Sequence, residues 1–338
     1  MGVTLLDGGV ATQLANHVDI TDVEKDDPLW CARFLVTNKE AIKNSHRDYV
    51  RAGSNIIETC TYQASIPGFM KYLNLNLEES VQLIQEAVTL ARQAIKEERQ
   101  INPTIGNVLV AGSCGSYGAY LHDGSEYRGD FMGKVSLDTI VSYHEQKLRA
   151  LVDAGVDLIA FETIPTQAEA EALAELLRKF PNIKAWISFS VKDESHLSSG
   201  DDFVTAANSV WCKNSDQIIA IGVNCVNPNF VTPLISPIVE KIPTIVYPNN
   251  GELWDDVNHK VICLKKLTKS DWRIVVIAQH GGKEGHLLAI AKLHSTVLKA
   301  LYARVALSLN SMYFPPCVVG CSRWKESQTS HRLCFRMA

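Results

Sequence analysis

Several features are missing from this 338-residue sequence, and each absence excludes a class of protein. No segment reaches the roughly 18 uninterrupted apolar residues that a membrane-spanning helix requires, so no membrane partner is expected. The N-terminus lacks a basic stretch followed by an apolar run, which predicts no secretory signal and a cytoplasmic location. No run of five basic residues occurs, so no nucleic-acid partner is expected either.

Disulfide-stabilised secreted folds are also disfavoured. The nine cysteines are an odd number and are scattered along the chain, unlike the close, even set of a small secreted domain. We therefore expect reduced thiols, available for metal binding or catalysis.

The composition is that of a globular protein, with 46% apolar and 21% charged residues. The charge is unevenly distributed, because residues 257–338 hold 13 lysines and arginines against 3 acidic residues, whereas residues 1–256 hold 20 against 34. We divide the chain at this point. Residues 1–256 are predicted to form seven βα units, and 257–338 a divergent basic region that contains the last unit if one is present.

Short apolar runs alternate with longer helical patterns, which predicts an α/β fold with parallel strands. The predicted strands are 3–6, 54–58, 108–111, 157–161, 184–190, 218–223 and 244–247. The predicted helices are 38–52, 78–98, 137–154 and 166–179, and 112–133 is predicted as a glycine-rich loop. Residues 273–278 are the best eighth strand, followed by a helix over 284–310.

Both an open doubly wound sheet and a closed (β/α)8 barrel fit this alternation. No Gly-x-Gly-x-x-Gly sequence opens the first helix, so the usual dinucleotide turn is missing. Polar or unusual residues follow nearly every strand, as expected where eight loops share one rim. We therefore predict a (β/α)8 TIM-type barrel whose eighth unit is atypical or incomplete. The strand-end residues are Asp7, Glu58, Thr59, Cys114, Glu162, Asn224, Cys225 and Asn249.

Some of these residues suggest chemistry, each with a structural alternative. Asp7 and Glu162 could together hold a cation such as an ammonium, or serve as a turn residue and a structural ion-pair partner. Cys225 is a candidate metal ligand, although a buried cysteine is often a small core residue. Tyr117 and Tyr120 could hold a sulfonium by cation–π attraction, or simply pack within a lid.

Eight blocks in order resemble the homocysteine S-methyltransferase family, over about residues 3 to 256. They begin at Asp7-Gly8-Gly9, Asp27-Pro28, Glu58-Thr59, Gly112-Ser113, Asp123-Gly124, Phe161-Glu162, Gly222-Val223 and Tyr247-Pro248. The Ser-Tyr-Gly-Ala-Tyr and Asp-Gly-Ser-Glu-Tyr-Arg-Gly segments resemble the branch that uses S-methylmethionine or S-adenosylmethionine rather than betaine.

The resemblance implies a zinc-dependent barrel in which the metal binds homocysteine as a thiolate, which then attacks the methyl group of a sulfonium donor to give methionine. It implies that Asp7 and Glu162 hold the homocysteine ammonium and that Gly8, Thr59 and Asn224 line the same pocket. Tyr117 and Tyr120 would lie on the donor side. Cys225 would be the first zinc ligand.

The C-terminus departs from the family pattern. The family ends in Gly-Gly-Cys-Cys-Arg, whose cysteines complete the zinc site, and this sequence has only Gly320-Cys321-Ser322-Arg323, with Cys317 nearby. Two hypotheses follow. Cys321 and Cys317 join Cys225 on zinc, or the chain is an inactive homologue or altered isoform, at most an amino-acid-binding protein. The oligomeric state is not indicated.

Overall fold

Six parallel strands form the main sheet of the protein. The computed structural model describes residues 4–19 and 27–248, and the backbone of four short strands beyond them. The sheet contains β1 (Ile56–Glu58), β2 (Leu109–Gly115), β3 (Leu158–Ile164), β4 (Lys184–Phe189), β5 (Ile218–Asn224) and β6 (Thr244–Tyr247). Leu6 makes a further parallel bridge to Ile56, at the place of the first predicted strand.

Helices connect consecutive strands. They are α1 (Val10–Leu14), α2 (Phe34–Thr37), α3 (Lys39–Ala52), α4 (Ile66–Leu73), α5 (Leu77–Ile101), α6 (Tyr117–Leu121), α7 (Leu137–Asp153), α8 (Gln167–Leu176), α9 (Phe203–Asn214) and α10 (Pro228–Ile235). Short 3₁₀ turns lie at Trp30–Arg33, Ser125–Tyr127 and Leu177–Lys179.

The strand order decides between the two predicted architectures. Neighbouring strands follow the chain from β1 to β6, whereas a doubly wound sheet reverses direction at a switch point. The sheet is also curled. In a flat sheet, five strand spacings of ~4.8 Å would separate Glu58 from Tyr247. Glu58 nevertheless lies near enough to Tyr247 for its charge, after burial and the charge of Glu162, to raise the pKa of Tyr247. The result is a curled parallel half-barrel.

The concave face of the sheet has an apolar lower part and a polar upper part. Because side chains alternate along a strand, every second residue points to this face. Near the amino ends of the strands these residues form one apolar cluster of Leu6, Ile56, Ala111, Leu158, Ala160, Trp186, Ala220 and Ile245, with Tyr247. Further along the same strands come Glu58, Ser113, Glu162, Ser188 and Asn224, all buried. The site therefore lies at the carboxyl ends of the strands.

Polar side chains cap the starts of the helices. Asn38 accepts a hydrogen bond from the backbone of Ala41 and begins α3, and Asn76 forms a reciprocal capping box with Glu79 at the start of α5. At α8 only half of a capping box forms. Thr166 accepts from the backbone of Glu169, while the Glu169 carboxylate turns to other donors.

Three connecting regions are more ordered than the sequence indicates. The predicted loop 112–133 begins as the upper half of β2 and continues as α6 and the 3₁₀ turn Ser125–Tyr127. The sequence patterns also do not predict α9 and α10. In α10 the interior proline, Pro233, weakens the helical signal.

Beyond residue 248 the described backbone consists of two antiparallel pairs. β7 (Leu253–Asp255) pairs with β8 (Lys260–Ile262), and β9 (Val275–Ile277) pairs with β10 (Val318–Gly320). β9 lies inside the predicted eighth strand, but its partner is β10, so the parallel pairing expected of an eighth barrel strand is not observed there. The predicted helix 284–310 lies outside the described residues. In the part of the chain that the structure describes, no helix has the length and apolar character to span a bilayer.

Candidate active site

Asp7 directly follows the Leu6 bridge and is buried at the rim. One of its oxygens, Oδ2, accepts a hydrogen bond of 2.8 Å from the backbone N–H of Glu58, which fixes the carboxylate against the end of β1. Gly8 lies beside it under the ring of Tyr49. A Cβ on Gly8 would lie 2.6 Å from the Tyr49 hydroxyl oxygen, so only glycine lets the chain pass there.

Glu162 is positioned by a bulge in β3. Phe161 pairs with Ile187 and Ile164 with Phe189, so β3 has one residue more than β4 over this interval. Bulges of this kind redirect side chains next to active sites. The Glu162 carboxylate points to the concave face and accepts a hydrogen bond from the Ser113 hydroxyl.

Asn224 connects three strands through its side chain. Its Oδ1 accepts from the backbone N–H of Thr163 and from the Ser188 hydroxyl, both at 2.8 Å. Its Nδ2 donates to Thr163 Oγ1 at 2.8 Å and to Cys225 Sγ at 3.3 Å. These four bonds use the two donors and the two acceptor positions of a carboxamide. Asn224 is expected to line the substrate pocket, and these contacts show that its side chain also holds its neighbours in position.

Two residues held by Asn224 have left-handed backbone conformations. Thr163 has φ +59° and Cys225 has φ +47°, and such conformations cost about 1–3 kcal/mol each for residues other than glycine. For a β-branched threonine this is a rare conformation. The bonds to Asn224 offset this strain and fix the side chain that precedes Thr163, which is Glu162.

Cys225 lies at the end of β5, half-buried and in the thiol state. The Tyr127 side chain makes a hydrogen bond with it, and burial together with the charges of Cys225 and Glu126 raises the pKa of Tyr127. Burial, with Glu126, Tyr127 and Cys225 nearby, also raises the pKa of Tyr62 well above its ordinary value. Cys225 therefore has the Tyr127 phenol as a hydrogen-bond partner, with the Tyr62 phenol nearby.

The described residues provide one candidate zinc ligand. Among residues 4–19 and 27–248, no three His, Cys, Asp or Glu side chains form a group that could hold a metal ion. Structural and catalytic zinc sites have three or four protein ligands, so Cys225 alone does not fit the ion. Cys317, Cys321 and the strand-end Asn249 lie outside the described residues.

Thr59 and Cys114 lie at strand ends, and both are buried. The Thr59 hydroxyl accepts from the backbone N–H of Ser113 at 3.1 Å and pairs with the Thr61 hydroxyl at 2.7 Å. Cys114 is fully buried on the opposite face from Ser113, in the layer between sheet and helices, and burial raises the pKa of its thiol to about 11. Cys114 is therefore not part of the site, contrary to the prediction from its position.

Tyr117 and Tyr120 belong to an aromatic cluster over the site's edge. The Tyr117 ring centroid lies 5.7 Å from those of Tyr120 and Phe131 and 5.2 Å from that of Tyr143. Tyr117 is buried, while Tyr120 keeps part of its surface. The backbone N–H of Tyr117 donates to the buried carboxylate of Glu169 at 2.7 Å, which fixes the start of α6.

Several residues around the site are not predicted from the sequence: Tyr62, Ser113, Glu126, Tyr127, Lys147, Thr163 and Ser188. Tyr127 reaches Cys225 because the 3₁₀ turn folds over the rim, where the Ser190 hydroxyl donates to the Glu126 carbonyl oxygen at 2.6 Å. A Cβ on Gly118 would lie 2.5 Å from the Glu126 nitrogen, so α6 packs directly on this turn. In the sequence, the contact between Tyr127 and Cys225 is indicated only by the motifs Asp-Gly-Ser-Glu-Tyr and Phe-Glu-Thr, which contain two glutamates and the tyrosine.

Comparison with known proteins identifies relatives over most of the chain. A family model described as homocysteine S-methyltransferase matches residues 4–279, further than the motifs indicate. A Drosophila melanogaster protein named betaine-homocysteine S-methyltransferase is 44% identical over 265 residues, covering 73% of this chain and 78% of the relative. Homocysteine S-methyltransferase 1 of Arabidopsis thaliana is 43% identical over 262 residues, covering 75% and 78%.

A solved structure is similar as well. The homocysteine methyltransferase MmuM from Escherichia coli, in its metallated form, superposes with a TM-score of 0.72 at 35% sequence identity. The match covers 90% of this chain and 96% of that protein.

Proposed function

Because the chain belongs to the homocysteine S-methyltransferase family, we propose that it transfers a methyl group from a sulfonium donor to the sulfur of homocysteine, giving methionine. The observation that carries this proposal is the composition of the rim. Asp7 and Glu162 provide buried carboxylates, and Cys225 provides a thiol, at the carboxyl ends of strands in one curled sheet. This is the end of a parallel barrel at which active sites occur.

Asp7 and Glu162 are the proposed ligands of the homocysteine ammonium. Each carboxylate has one oxygen fixed by a neighbour, the Glu58 backbone for Asp7 and the Ser113 hydroxyl for Glu162. Carboxylates held in this way lose little conformational entropy when they bind a cation. Gly8 would line the pocket with its backbone. Thr59 would line it as well, and its hydroxyl would hold Ser113 in place. Asn224 would act by fixing Thr163 and Cys225.

The charge of the site favours a cationic donor. Asp7, Glu58, Glu126 and Glu162 are all buried around the concave face, and homocysteine brings one ammonium to them. S-methylmethionine and S-adenosylmethionine carry a net positive charge, because the sulfonium is added to the balanced ammonium and carboxylate of an amino acid. Betaine has one quaternary ammonium and one carboxylate and is neutral overall. The name of the Drosophila relative includes betaine, so an assay of this protein has to compare betaine with the sulfonium donors. On the donor side we propose Tyr120 and the adjoining Tyr117, whose ring faces attract cations.

The proposed reaction is a direct displacement. The homocysteine thiol releases its proton to bulk water as it binds, and the sulfur electron pair then forms a bond to the donor methyl carbon. The bond between that carbon and the donor sulfur breaks, and its electron pair stays on the donor sulfur, which becomes a neutral thioether. The protein's contribution is to orient the two sulfurs on one line through the methyl group and to exclude water.

We propose zinc as the metal, with Cys225 as one ligand and Cys317 and Cys321 as the others. A bound divalent metal deprotonates a coordinated thiol outright. Since the described residues supply only Cys225, no step above depends on the ion. This same observation favours one second candidate, an inactive homologue that binds an amino acid but cannot hold zinc.

The deciding experiment is a methyl-transfer assay with purified full-length protein. Homocysteine is offered with S-methylmethionine, S-adenosylmethionine or betaine, each with and without added zinc under reducing conditions, and metal content is measured on the same samples. We expect methionine from a sulfonium donor and about one zinc per chain. Methionine from betaine alone would refute the donor proposal, and homocysteine binding without turnover or zinc would establish the inactive homologue.

Charge-neutral variants test the acceptor site. Asp7→Asn and Glu162→Gln are expected to raise the homocysteine KM by about 10- to 100-fold, because charge-assisted hydrogen bonds are worth about 1.5–3 kcal/mol. The matched control is Glu175→Gln, an exposed carboxylate paired with Arg178, which should leave KM unchanged. An unchanged KM in both rim variants would contradict the assignment.

A further inference from the structure

Lys147 is a buried cation that the proposed reaction does not use. It lies in α7, and its side chain is 1% exposed. Its ammonium donates to the backbone carbonyl oxygens of Thr61 and Tyr62, the second at 3.0 Å. A single lysine thus holds two consecutive carbonyls in the connection between β1 and α4.

Burying this ammonium is costly. Burial lowers the pKa of Lys147 to about 8, against the opposing charge of Glu162. A well-packed apolar side chain of similar volume often stabilises a fold as well as a buried ion does. Packing alone therefore does not explain why a lysine occupies this position.

The first of the two carbonyls leads to the ammonium-binding end of the site. The Thr61 hydroxyl donates to the Ser113 carbonyl oxygen at 2.8 Å, and the Ser113 hydroxyl donates to Glu162. The Thr59 hydroxyl completes this arrangement by accepting from the Ser113 backbone N–H. Polar contacts therefore run without interruption from Lys147 to Glu162.

The second carbonyl leads to the sulfur end of the site. The Tyr62 carbonyl oxygen also accepts from the backbone N–H of Gly115 at 3.3 Å, and a Cβ on Gly115 would lie 2.7 Å from the Tyr62 ring. The ring is therefore fixed against the end of β2. Burial, with Glu126, Tyr127 and Cys225 nearby, raises the pKa of the Tyr62 phenol, so this ring belongs to the surroundings of the sulfur end of the site.

We propose that Lys147 is a positioning residue that sets the distance between the two ends of the acceptor site. By holding the Thr61 and Tyr62 carbonyls together, it fixes Glu162 relative to Cys225. This distance matters because homocysteine must place its ammonium at Glu162 and its sulfur near Cys225 at the same time. This inference rests on the proposed function.

The test compares Lys147→Met and Lys147→Arg in the full-length protein. Steady-state KM is measured separately for homocysteine and for the sulfonium donor, homocysteine binding by calorimetry without donor, and unfolding by urea. We expect Lys147→Met to raise the homocysteine KM and Kd by about 10- to 100-fold, the usual range for residues that orient a ligand-binding group. The donor KM should stay within about twofold, the urea midpoint should be unchanged or higher, and arginine should restore most of the loss.

Two further variants complete the design. Lys96→Met removes an exposed lysine from α5 and should change nothing. Thr61→Val removes only the hydroxyl that reaches Ser113, so it tests the same connection if the methionine variant does not fold, and it should also raise the homocysteine Kd.

The outcomes separate this inference from the proposed function. If the wild type methylates homocysteine and both Lys147→Met and Thr61→Val bind it normally, the role of Lys147 is refuted. A parallel rise in both KM values with a lowered urea midpoint and no rescue by arginine would refute it too, because it indicates a purely structural role. If the wild type transfers no methyl group, the proposed function fails, while calorimetric binding of homocysteine still decides the role of Lys147.

Discussion

Removing the Asn224 carboxamide should have a large effect on stability. In Asn224→Leu the buried Thr163 N–H loses its acceptor, which costs about 1–3 kcal/mol, and three further hydrogen bonds worth about 0.5–1.5 kcal/mol each are lost. Ser188 limits the damage, since its hydroxyl also pairs with the Tyr247 hydroxyl. We therefore expect the free energy of unfolding to fall by about 3–6 kcal/mol, a large part of the 5–15 kcal/mol typical of a domain.

The isosteric Asn224→Asp separates the two halves of this effect. A carboxylate still accepts from Thr163 N–H and from Ser188, but it cannot donate to Thr163 Oγ1 or to Cys225 Sγ. A smaller loss of about 2–4 kcal/mol is expected from the missing donors and from burying a charge near Glu162.

Both variants are measured by urea unfolding followed by circular dichroism. The control is Asn208→Asp, an exposed asparagine of α9 that donates only to the Val204 carbonyl oxygen, and it should change stability by no more than about 0.5 kcal/mol. If Asn224→Leu unfolds within about 1 kcal/mol of the wild type, the carboxamide does not hold the left-handed residues in place, and our account of the rim is wrong.

Two other substitutions test the fold and its pH dependence. Gly222→Ala places a Cβ 1.7 Å from the Ile245 carbonyl oxygen on the neighbouring strand, so we expect a loss of about 3 kcal/mol or more by thermal unfolding, whereas Gly106→Ala, in open space, should be tolerated. Burial lowers the pKa of His46 to about 4, so between pH 6.5 and 4 the unfolded chain binds a proton that the folded protein does not. Over that window the free energy of unfolding of the wild type should fall by up to about 3 kcal/mol more than that of His46→Leu. If the urea midpoints of the two proteins changed equally between pH 7 and 4.5, this would be contradicted.

The sheet could be predicted from the sequence because its signals are local. Each parallel strand is a short apolar run followed by a polar residue, and β6 at Thr244–Tyr247 has the predicted boundaries. The carboxyl ends of parallel strands meet at one edge, so the sequence predicts that Asp7, Glu162 and Cys225 share a rim.

The faces of β2 could not be predicted in the same way. The predicted strand ends at Ala111, whereas β2 continues to Gly115, and alternation over these extra residues turns Ser113 inward and Cys114 outward. An error of one residue in the predicted alternation of β2 therefore places Cys114 in the site and Ser113 in the core. The glycine content that indicated a loop instead reflects close packing, since a Cβ on Gly112 would lie 2.9 Å from the Leu151 side chain.

Long-range contacts were also beyond the sequence patterns. Tyr127 approaches Cys225, and Lys147 approaches Thr61, across 98 and 86 positions of the chain respectively. No periodicity connects such residues, because their meeting depends on how a turn or a helix packs over the curled sheet. Lys147 in particular occupies a buried position that a lysine almost never occupies unless it is paired.

The rigidity of the rim leads to a last prediction, on the length of the acceptor. Glu162 is fixed by the β3 bulge and Ser113, and Cys225 by Asn224, so the two ends of the acceptor site cannot easily move closer. Cysteine is one methylene shorter than homocysteine, so a molecule anchored at its ammonium would hold its sulfur more than 1 Å from the reacting position, which costs about 100-fold in rate. We therefore expect kcat/KM for cysteine to be about 100-fold lower in the methyl-transfer assay. In Glu162→Gln the ammonium is held less firmly, so the preference for homocysteine over cysteine should become smaller even as overall activity falls. Equal use of both thiols by the wild type would show that the rim does not select the acceptor by its length.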